Sequence, residues 1–388
     1  MKELEYPFDA AYIIKKRKSL KKALLADGTS RIRKKIAVFG GSTTSDIVKT
    51  LELFLLDAGI EPEFYESEYA QYFQDAMFPD ETLLSFKPDI VFIHTTNRNV
   101  TDWPEMTDTT EQIDEKLHTE INRFTAMWKS IAEKFHCPII QNNFEMPLYR
   151  LLGSRDAWDI HGRTNFLTRL NEAFYAYARE NESFYIHDLN FVSADYGLKE
   201  WSNPLFWNMY KYAMCFEAIP SFAFSVSHII KSIFGKNKKA LALDLDNTLW
   251  GGVVGDDGVD GIEIGQETGV SQSYYEFQTY VKQLKSLGIV LTVCSKNDHE
   301  NAIAGLNHPE GALRPDDFVI IKANWENKDR NIAETAAELN ILPDSIPQKR
   351  KVSGKNILRV TIRWTLITVC SILVFKRVWR LPIFCWMI

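Results

Sequence analysis

The 388-residue chain is poor in cysteine: it has five, and none of them forms a C-x-x-C pair. Disulfide frameworks and structural zinc sites both use closely spaced cysteines, so this scarcity argues against either and favours a reducing compartment, the cytoplasm. The N-terminal stretch MKELEYPFDAAY lacks the apolar run that secretory signals contain. We therefore expect no such signal.

Long hydrophobic runs are also missing. The run WTLITVCSILVF (364–375) has twelve residues, whereas a helix needs about 20 apolar residues to cross a bilayer core of about 30 Å. We therefore expect no membrane span. The formal net charge of −6 gives no overall basic surface, which argues against nucleic acid as a partner.

Acidic residues are absent from the last part of the sequence. Residues 347–388 contain nine of the 45 basic residues and none of the 51 acidic ones. Such a change in composition at one point separates this tail from the sequence before it.

The rest of the composition is that of a globular protein, with 45% hydrophobic, 13% aromatic and 25% charged residues. These proportions argue against a disordered or collagen-like chain. The length is sufficient for two ordinary domains.

Short apolar runs that end in polar residues alternate with helical stretches along the first half. They are IAVFG (36–40), DIVFIHTTN (89–97), CPIIQNN (137–143) and FYIHDLN (184–190), with EFYES (63–67) as a weaker candidate. This series predicts a parallel sheet between two layers of helices, with its chemistry at the carboxyl ends of the strands. We assign 1–34 to a helical lead and 35–235 to this first domain.

The pattern starts again after GKNKK (235–239). Predicted strands begin at ALALDLD, IVLTVCSKND and FVIIKANW, and predicted helices are SQSYYEFQTYVKQLKSLG and NKDRNIAETAAELN. In the first of these helices, Ser271 or Ser273 is the predicted cap and Gly288 follows the end. We assign 236–346 to a second three-layer α/β domain.

Two carboxylates, Asp244 and Asp246, stand at the end of the first strand of the second domain, before the loop NTLWGG. This pattern is typical of an aspartate nucleophile with a second aspartate as acid/base, in which the first carboxylate and a backbone carbonyl can share one Mg²⁺. The cation keeps the neighbouring carboxylates ionised. A bare D-x-D would equally suit a solvated loop or a calcium-loop fragment, but the flanking residues favour the chemical interpretation.

The stretch DLDNTLWGGVVGDDGVDGIEIG resembles the signature of FkbH-like proteins, whose phosphatase-like domain belongs to subfamily IIIC of the haloacid-dehalogenase (HAD) superfamily. The resemblance implies a Rossmann-like HAD fold over about 239–346. It implies the nucleophile Asp244, the acid/base Asp246, both also as Mg²⁺ ligands, and the phosphate ligands Ser295, Lys328, Asn247 and Thr248, with Lys322 as the runner-up lysine.

Some FkbH-like proteins load a glyceryl group from an acyl phosphate onto a carrier protein. The resemblance therefore admits Cys294 as an acyl acceptor, an acyl phosphate or phosphorylated small molecule as substrate, and an acyl or peptidyl carrier protein as partner. The short spacing between Asp246 and Ser295 leaves room for a flap but not for a cap domain. Such an open site suits a macromolecular substrate.

The last HAD motif has no counterpart in the sequence. After ELNILPDSI the family pattern continues with an apolar strand and D-D-N-P, whereas this chain reads PQKRKVSGKNILRV. Without that acidic ligand we expect severe loss of Mg²⁺ affinity and of activity. We favour a frameshift after Ile346; a membrane-proximal tail and an interfacial helix are the alternatives.

In the first domain, strand–GGSTTSD–helix resembles the nucleophile turn of SGNH (GDSL-type) hydrolases, which have a flavodoxin-like sheet. The resemblance places Ser42 as nucleophile and Asn97 in the oxyanion hole. The D-x-x-H pair of that family is missing, because WSNPLFWN (201–208) occupies its region. His187 and Asp188 diverge on a predicted strand, and His228 lies on a helical run.

A serine without a general base is a poor nucleophile. We therefore favour a helix-capping role for Ser42, Thr43 and Thr44, and a scaffold that binds an acyl or carrier partner. Three functions stay open: a Mg²⁺-dependent phosphatase or phosphotransferase, a non-catalytic binding scaffold, and a serine esterase.

Overall fold

The computed structural model describes residues 1–341 and residue 346. The chain divides into two compact units, Met1–Lys231 and Ser232–Ile388. The expectations for 347–388, including the frameshift and the missing last motif, lie outside the described residues. Among the residues that the structure describes, no helix combines the length and apolarity of a membrane span.

The first unit contains five strands: β1 (Ile32–Gly40), β2 (Ile60–Glu66), β3 (Ile90–His94), β4 (Ile139–Asn142) and β5 (Phe184–His187). Its helices are α1 (Ala10–Ala26), α2 (Ser45–Asp57), α3 (Tyr72–Met77), α4 (Glu81–Phe86), α5 (Thr110–Phe135), α6 (Arg163–Glu180), α7 (Leu189–Tyr196), α8 (Leu198–Trp201), α9 (Pro204–Tyr210) and α10 (Ile219–Ile233). Single 3₁₀ turns occur at Lys2–Leu4, Asn97–Asn99, Gly153–Ala157 and Phe216–Ala218.

All five strands are parallel, in the order β2-β1-β3-β4-β5. Neighbouring residues of a strand point to opposite faces, and both faces are covered. Ile93 packs into an apolar cluster with Phe124 and Trp128 of α5, while the adjacent Phe92 lies 6.2 Å from the ring of Phe222 in α10. The predicted α/β fold with a parallel sheet is therefore confirmed.

Several strand ends differ from the sequence prediction. The strand expected at 184–190 stops at His187, because the carboxylate of Asp188 accepts a hydrogen bond from the backbone N–H of Phe191 and caps α7. The strand expected at 89–97 stops at His94. The weaker candidate at 63–67 belongs to a real edge strand, β2, paired with β1.

The second unit contains β6 (Ala240–Leu243), β7 (Val290–Ser295) and β8 (Ile320–Ala323), which form a parallel sheet in that order. Its helices are α11 (Val254–Asp257), α12 (Gly269–Ser286), α13 (His299–Leu306) and α14 (Lys328–Glu338), with 3₁₀ turns at Val259–Gly261 and Pro315–Asp317. Val293 packs with Phe277 of α12, and the next residue, Cys294, packs with Ala336 of α14. Helices thus cover both faces of this sheet as well.

Thr268 caps α12, which corrects the predicted cap. Its side chain accepts a hydrogen bond from the backbone N–H of Ser271 at 3.0 Å, so Ser271 is already inside the helix. Ser273 donates its hydroxyl to the carbonyl of Gly269. Gly288 follows the end of the helix with φ +92°, as predicted, because that conformation strains any residue with a Cβ atom.

Candidate functional site

The candidate site of the second unit lies at the carboxyl ends of its strands. β6 ends at Leu243, and Asp244 and Asp246 follow it directly. The chain then turns sharply: Asn247 has φ +55°, and the N–H groups of Thr248 and Leu249 both donate to the carbonyl of Leu245. This turn keeps both aspartates at the edge of the sheet.

Asp244 receives hydrogen bonds from two other elements of the unit. The hydroxyl of Ser295, the last residue of β7, donates to Asp244 Oδ1 at 2.8 Å. The ammonium of Lys328, the first residue of α14, lies 2.6 Å from Asp244 Oδ2. Because parallel strands end at the same edge of a sheet, the side chains that follow β6 and β7 meet there. One carboxylate is therefore held by a hydroxyl and a cation.

Asp246 is fixed by three donors. Its Oδ1 accepts from the indole N–H of Trp250 at 3.0 Å and from the backbone N–H of Val254 at 3.1 Å. Its Oδ2 accepts from the side-chain amide of Asn297 at 3.0 Å. Sequence analysis did not single out Trp250 or Asn297. Only their positions in the sequence could have identified them as site residues. Trp250 lies in the loop after the acidic pair, and Asn297 lies two residues beyond Ser295.

The pKa of Asp246 is raised above its usual range, chiefly because the carboxyl group is buried. The hydrogen bonds from Val254 and Trp250 lower it, and the charges of Asp244 and Asp256 raise it. The balance favours the protonated form more than in an exposed aspartate. Such a group keeps its proton to a higher pH than an exposed aspartate does, as a general acid requires.

The other predicted phosphate ligands have contacts of their own. Asn247 accepts the backbone N–H of Gly252 through Oδ1 at 3.2 Å, and Thr248 is buried. Their binding of phosphate remains a prediction. Lys322, the runner-up, pairs with Glu334 at 3.1 Å and Glu338 at 2.7 Å. The lysine that contacts Asp244 is therefore Lys328.

Cys294 lies behind the strand that carries Ser295, and its thiol is 3.8 Å from the backbone carbonyl of Lys328. It precedes Ser295 on β7, so its side chain lies on the other face, in an apolar cluster with Ala240, Ala242 and Ala336. The residue is 4% exposed, and burial raises the pKa of its thiol. A buried thiol is inert compared with a thiolate near the surface. This placement argues against Cys294 as acyl acceptor.

The carboxylates of Asp244 and Asp246 fit a divalent cation of the Mg²⁺ type. They are hard oxygen donors, and their mutual repulsion is one cause of the raised pKa of Asp246, which a cation would relieve. Within 1–341 and 346, no three His, Cys, Asp or Glu residues group together as a metal site. The donor set thus suits an ion that keeps several waters and a phosphate oxygen.

In the first unit, Ser42 lies in the turn between β1 and α2. It is 1% exposed, and its hydroxyl has no hydrogen-bond partner in the described part of the chain. The side-chain amide of Asn97 donates to the carbonyl of Glu145 at 3.3 Å. Asn99, two residues later, donates to the carbonyl of Gly41 at 2.9 Å. Asn99 is therefore the asparagine that contacts the serine turn, whereas the sequence prediction named Asn97.

The prediction that Ser42, Thr43 and Thr44 cap α2 is wrong for all three side chains. The backbone cap is Thr44, but its hydroxyl donates to Glu66 at 2.6 Å. Thr43 donates to the carbonyl of Tyr210, also at 2.6 Å. The longer-range partners outcompete the local capping bond.

The buried histidines of the first unit are engaged elsewhere. His187 contacts Asn142 at 2.8 Å and Ser225 at 3.0 Å, and His94 contacts Asn142 at 2.9 Å. Nδ1 of His228 is 2.8 Å from the carbonyl of Phe224. Burial lowers the pKa of His94 and His187 to about 3. No histidine of the described chain bonds to the Ser42 hydroxyl, so a catalytic pair with this serine is not formed.

Residues 35–231, about half of the chain, match the family model described as "FkbH, N-terminal domain". The chain belongs to the FkbH N-terminal domain family. No curated protein sequence is similar enough to match the chain.

One solved structure resembles nearly the whole of this FkbH-family chain. It is the N-terminal part of the protein BF1531 from Bacteroides fragilis, which contains a phosphatase domain and is complexed with Mg. The two are 29% identical with a TM-score of 0.77, and the match covers 88% of this chain and 90% of that one. A GDSL-like lipase from Bacteroides thetaiotaomicron is 13% identical with a TM-score of 0.29, over 57% of this chain and 99% of that one. This second likeness is too low to support an argument.

Proposed function

We propose that the second unit carries a Mg²⁺-dependent phosphatase or phosphotransferase site of the HAD type. The observation that carries the proposal is the convergence of Ser295 and Lys328 on Asp244, at 2.8 and 2.6 Å, beside a second carboxylate. Asp244 attacks the phosphorus atom, and Asp246 protonates the oxygen that leaves. The phosphatase domain of BF1531, complexed with Mg, supports the same chemistry here.

The side chains around the two aspartates suit these two roles, nucleophile for Asp244 and acid for Asp246. Lys328 neutralises negative charge at Asp244, where a phosphoryl group would add more, and Ser295 offers a hydroxyl as donor. Burial raises the pKa of Asp246, so the carboxyl group keeps a proton more readily. Hydrogen bonds from Trp250 and Asn297 orient the carboxyl group and fix the direction in which it donates. Catalysis of phosphoryl transfer is mainly positioning and charge stabilisation, which these contacts supply.

Asp244 and Asp246 are the residues that would hold Mg²⁺. When bound, the ion would neutralise negative charge on the phosphate and reduce the repulsion between the two carboxylates. The sequence offers no acidic residue in 347–388 to complete the ligand set. We therefore propose weak Mg²⁺ binding and low activity rather than a fully formed centre.

The substrate class we propose is a phosphorylated small molecule or an acyl phosphate. Membership of the FkbH family also supports a finer proposal, in which the thiol of an acyl or peptidyl carrier protein loses its proton and attacks the acyl (glyceryl) carbon of an acyl phosphate. A thioester forms, the bond between that carbon and the phosphate oxygen breaks, and phosphate leaves. Because the thiol of Cys294 is buried in an apolar cluster, the accepting thiol in that version belongs to the carrier protein.

Hydrolysis of p-nitrophenyl phosphate with and without Mg²⁺ tests the phosphatase proposal. Replacing the nucleophile, Asp244→Asn, is expected to lower kcat by about 10²–10³-fold or more, because the attacking carboxylate is removed. Asp260→Asn, an exposed aspartate of the same unit, is the matched control and should keep wild-type turnover. Equal rates for wild type and Asp244→Asn would exclude this chemistry.

A non-catalytic scaffold for a carrier protein is the second candidate. The small donor set favours it, since the described residues bring only Asp244 and Asp246 to the cation position. This candidate predicts no Mg²⁺-dependent turnover in any variant. The serine-esterase alternative lacks such support, because no residue that the structure describes accepts a hydrogen bond from the Ser42 hydroxyl. It predicts that Ser42→Ala abolishes aryl-ester hydrolysis.

A further inference from the structure

Trp325 is a large apolar side chain left in solvent beside the candidate site. It is 69% exposed. It lies two residues beyond β8 and three residues before Lys328, whose ammonium is 2.6 Å from Asp244. An exposed indole forgoes the favourable burial that its large apolar surface would gain. Its position places the indole at the same edge of the sheet as Lys328 and Ser295.

The indole ring is held in place by a chain of hydrogen bonds that reaches Asp246. Its N–H donates to Oδ1 of Asp298 at 2.9 Å. The backbone N–H of Asp298 donates to Oδ1 of Asn297 at 2.9 Å, and Asn297 donates to Asp246 at 3.0 Å. The ring thus keeps a fixed orientation relative to the carboxylates although its faces are open to water.

The backbone on the other side of the ring is anchored as well. The N–H of Asn324 donates to the carbonyl of Ser295 at 3.2 Å, and Asn324 exchanges side-chain hydrogen bonds with Asn331. Trp325 is therefore on a short segment fixed at Asn324 and at Lys328. Both anchors belong to the phosphate side of the proposed site.

We propose that Trp325 is a specificity-determining residue that packs against an uncharged, planar organic group attached to the phosphate of the substrate. The proposal rests on the proposed function, which supplies the phosphate position at Asp244, Ser295 and Lys328. The carboxylate of Asp298 accepts the indole N–H, so a second anionic group on the substrate is disfavoured at that edge of the ring. Flat, neutral groups suit the face of an aromatic ring.

Binding of two phosphonates by the full chain tests this proposal without turnover. Phenylphosphonate and methylphosphonate carry the same head group and differ only in the planar group. With Mg²⁺ present, isothermal titration calorimetry is expected to give about tenfold tighter binding of phenylphosphonate, the size of one stacking contact. Trp325→Ala is expected to remove the difference while leaving methylphosphonate binding unchanged.

Two control variants sharpen the result. Trp325→Phe keeps a ring and should keep most of the preference. Trp158→Ala removes a tryptophan that is 68% exposed in the first unit and should change nothing. Overturning results are equal or undetectable binding of the two phosphonates by wild type, or a preference that persists in Trp325→Ala. If wild type binds phenylphosphonate more tightly but shows no turnover that depends on Asp244, the result counts against the proposed function alone.

Discussion

At the scale of single residues, the two aspartates of the site differ in their surroundings. Asp244 is paired with a cation, Lys328, while Asp246 is held by neutral donors from Trp250, Val254 and Asn297. Neutral donors orient a carboxyl group without bringing the opposite charge that Lys328 brings to Asp244. Two carboxylates two residues apart can therefore take different parts in one reaction, one as nucleophile and one as acid.

Asn297→Ala is expected to lower kcat for p-nitrophenyl phosphate about tenfold with little change in KM. The variant lacks the side-chain amide that donates to Oδ2 of Asp246, so this oxygen loses the hydrogen bond that orients it. Because that donor stabilises the ionised carboxylate, its removal also raises the pKa of Asp246, so the alkaline limb of the pH–kcat profile shifts upward. Steady-state kinetics across pH measure both effects.

The matched control for this variant is Gln283→Ala, an exposed amide on α12. It should leave the rate and the profile unchanged. An Asn297→Ala enzyme whose kcat falls without any shift in the alkaline limb would show that the amide does not act through Asp246.

At the scale of elements, α13 supports the site through close packing. A Cβ atom added at Gly305 would lie 2.8 Å from two carbons of the Trp250 indole. Trp250 is buried and donates to Asp246, so this helix and the loop after β6 approach each other too closely for any larger residue. The glycine therefore sets the position of a side chain that orients the acid.

Gly305→Ala is expected to destabilise the second unit by about 1–3 kcal/mol, the usual cost of overpacking a core. Chemical denaturation of the full chain measures the change in the free energy of unfolding. Gly269→Ala is the matched control, because a Cβ atom there meets nothing within 4 Å at the start of α12. Equal stability of Gly305→Ala and wild type would mean that the indole moves aside freely.

At the scale of the whole molecule, the two units use the polar groups at their strand ends differently. The second unit gathers them around Asp244 and Asp246. The first unit keeps a buried network in which His94, Asn142, His187 and Ser225 bond to one another. Burial holds the pKa of both histidines near 3, so they stay neutral in the folded protein. The network leaves Nε2 of His94 without a hydrogen-bond partner, and within the described part of the chain it supplies no base that bonds to Ser42.

Stability is expected to fall as the pH drops below about 6.5, the ordinary pKa of histidine. Below that value the unfolded chain binds protons at His94 and His187 and the folded chain does not, so acid favours unfolding down to about pH 3. Each buried histidine contributes up to about 1.4 kcal/mol per pH unit. Urea unfolding of the full chain at pH 7 and pH 5 measures this slope.

His94→Gln is expected to reduce that slope by about one proton, whereas His118→Gln, on the outer surface of α5, should leave it unchanged. An unaltered slope in His94→Gln would show that this histidine takes up protons while folded. The comparison of variants isolates the histidine from the carboxylates that titrate in the same range.

Local sequence patterns predicted most of the strands and helices of this protein. Apolar runs that end in polar residues predicted the strands of both sheets, and the acidic pair Asp244 and Asp246 was visible as a motif. Strand ends were less certain, because they depend on competing contacts such as the capping bond of Asp188. The predicted caps failed for two reasons. Before α12 several hydroxyls stand close together, and the local bond forms at Thr268. Before α2 the hydroxyls of Thr43 and Thr44 donate to distant partners instead.

What the sequence determined alone is the order of strands and helices and the residue types at the strand ends, since both depend on short-range periodicity. Only the tertiary structure decided which side chains meet. Ser295 and Lys328 reach Asp244 from 51 and 84 residues away, and the register of parallel strands brings them together. The same register turns Cys294 into the core, attaches Asn297 to Asp246 and leaves Trp325 in solvent, because no local pattern encodes the partner of a side chain across a sheet.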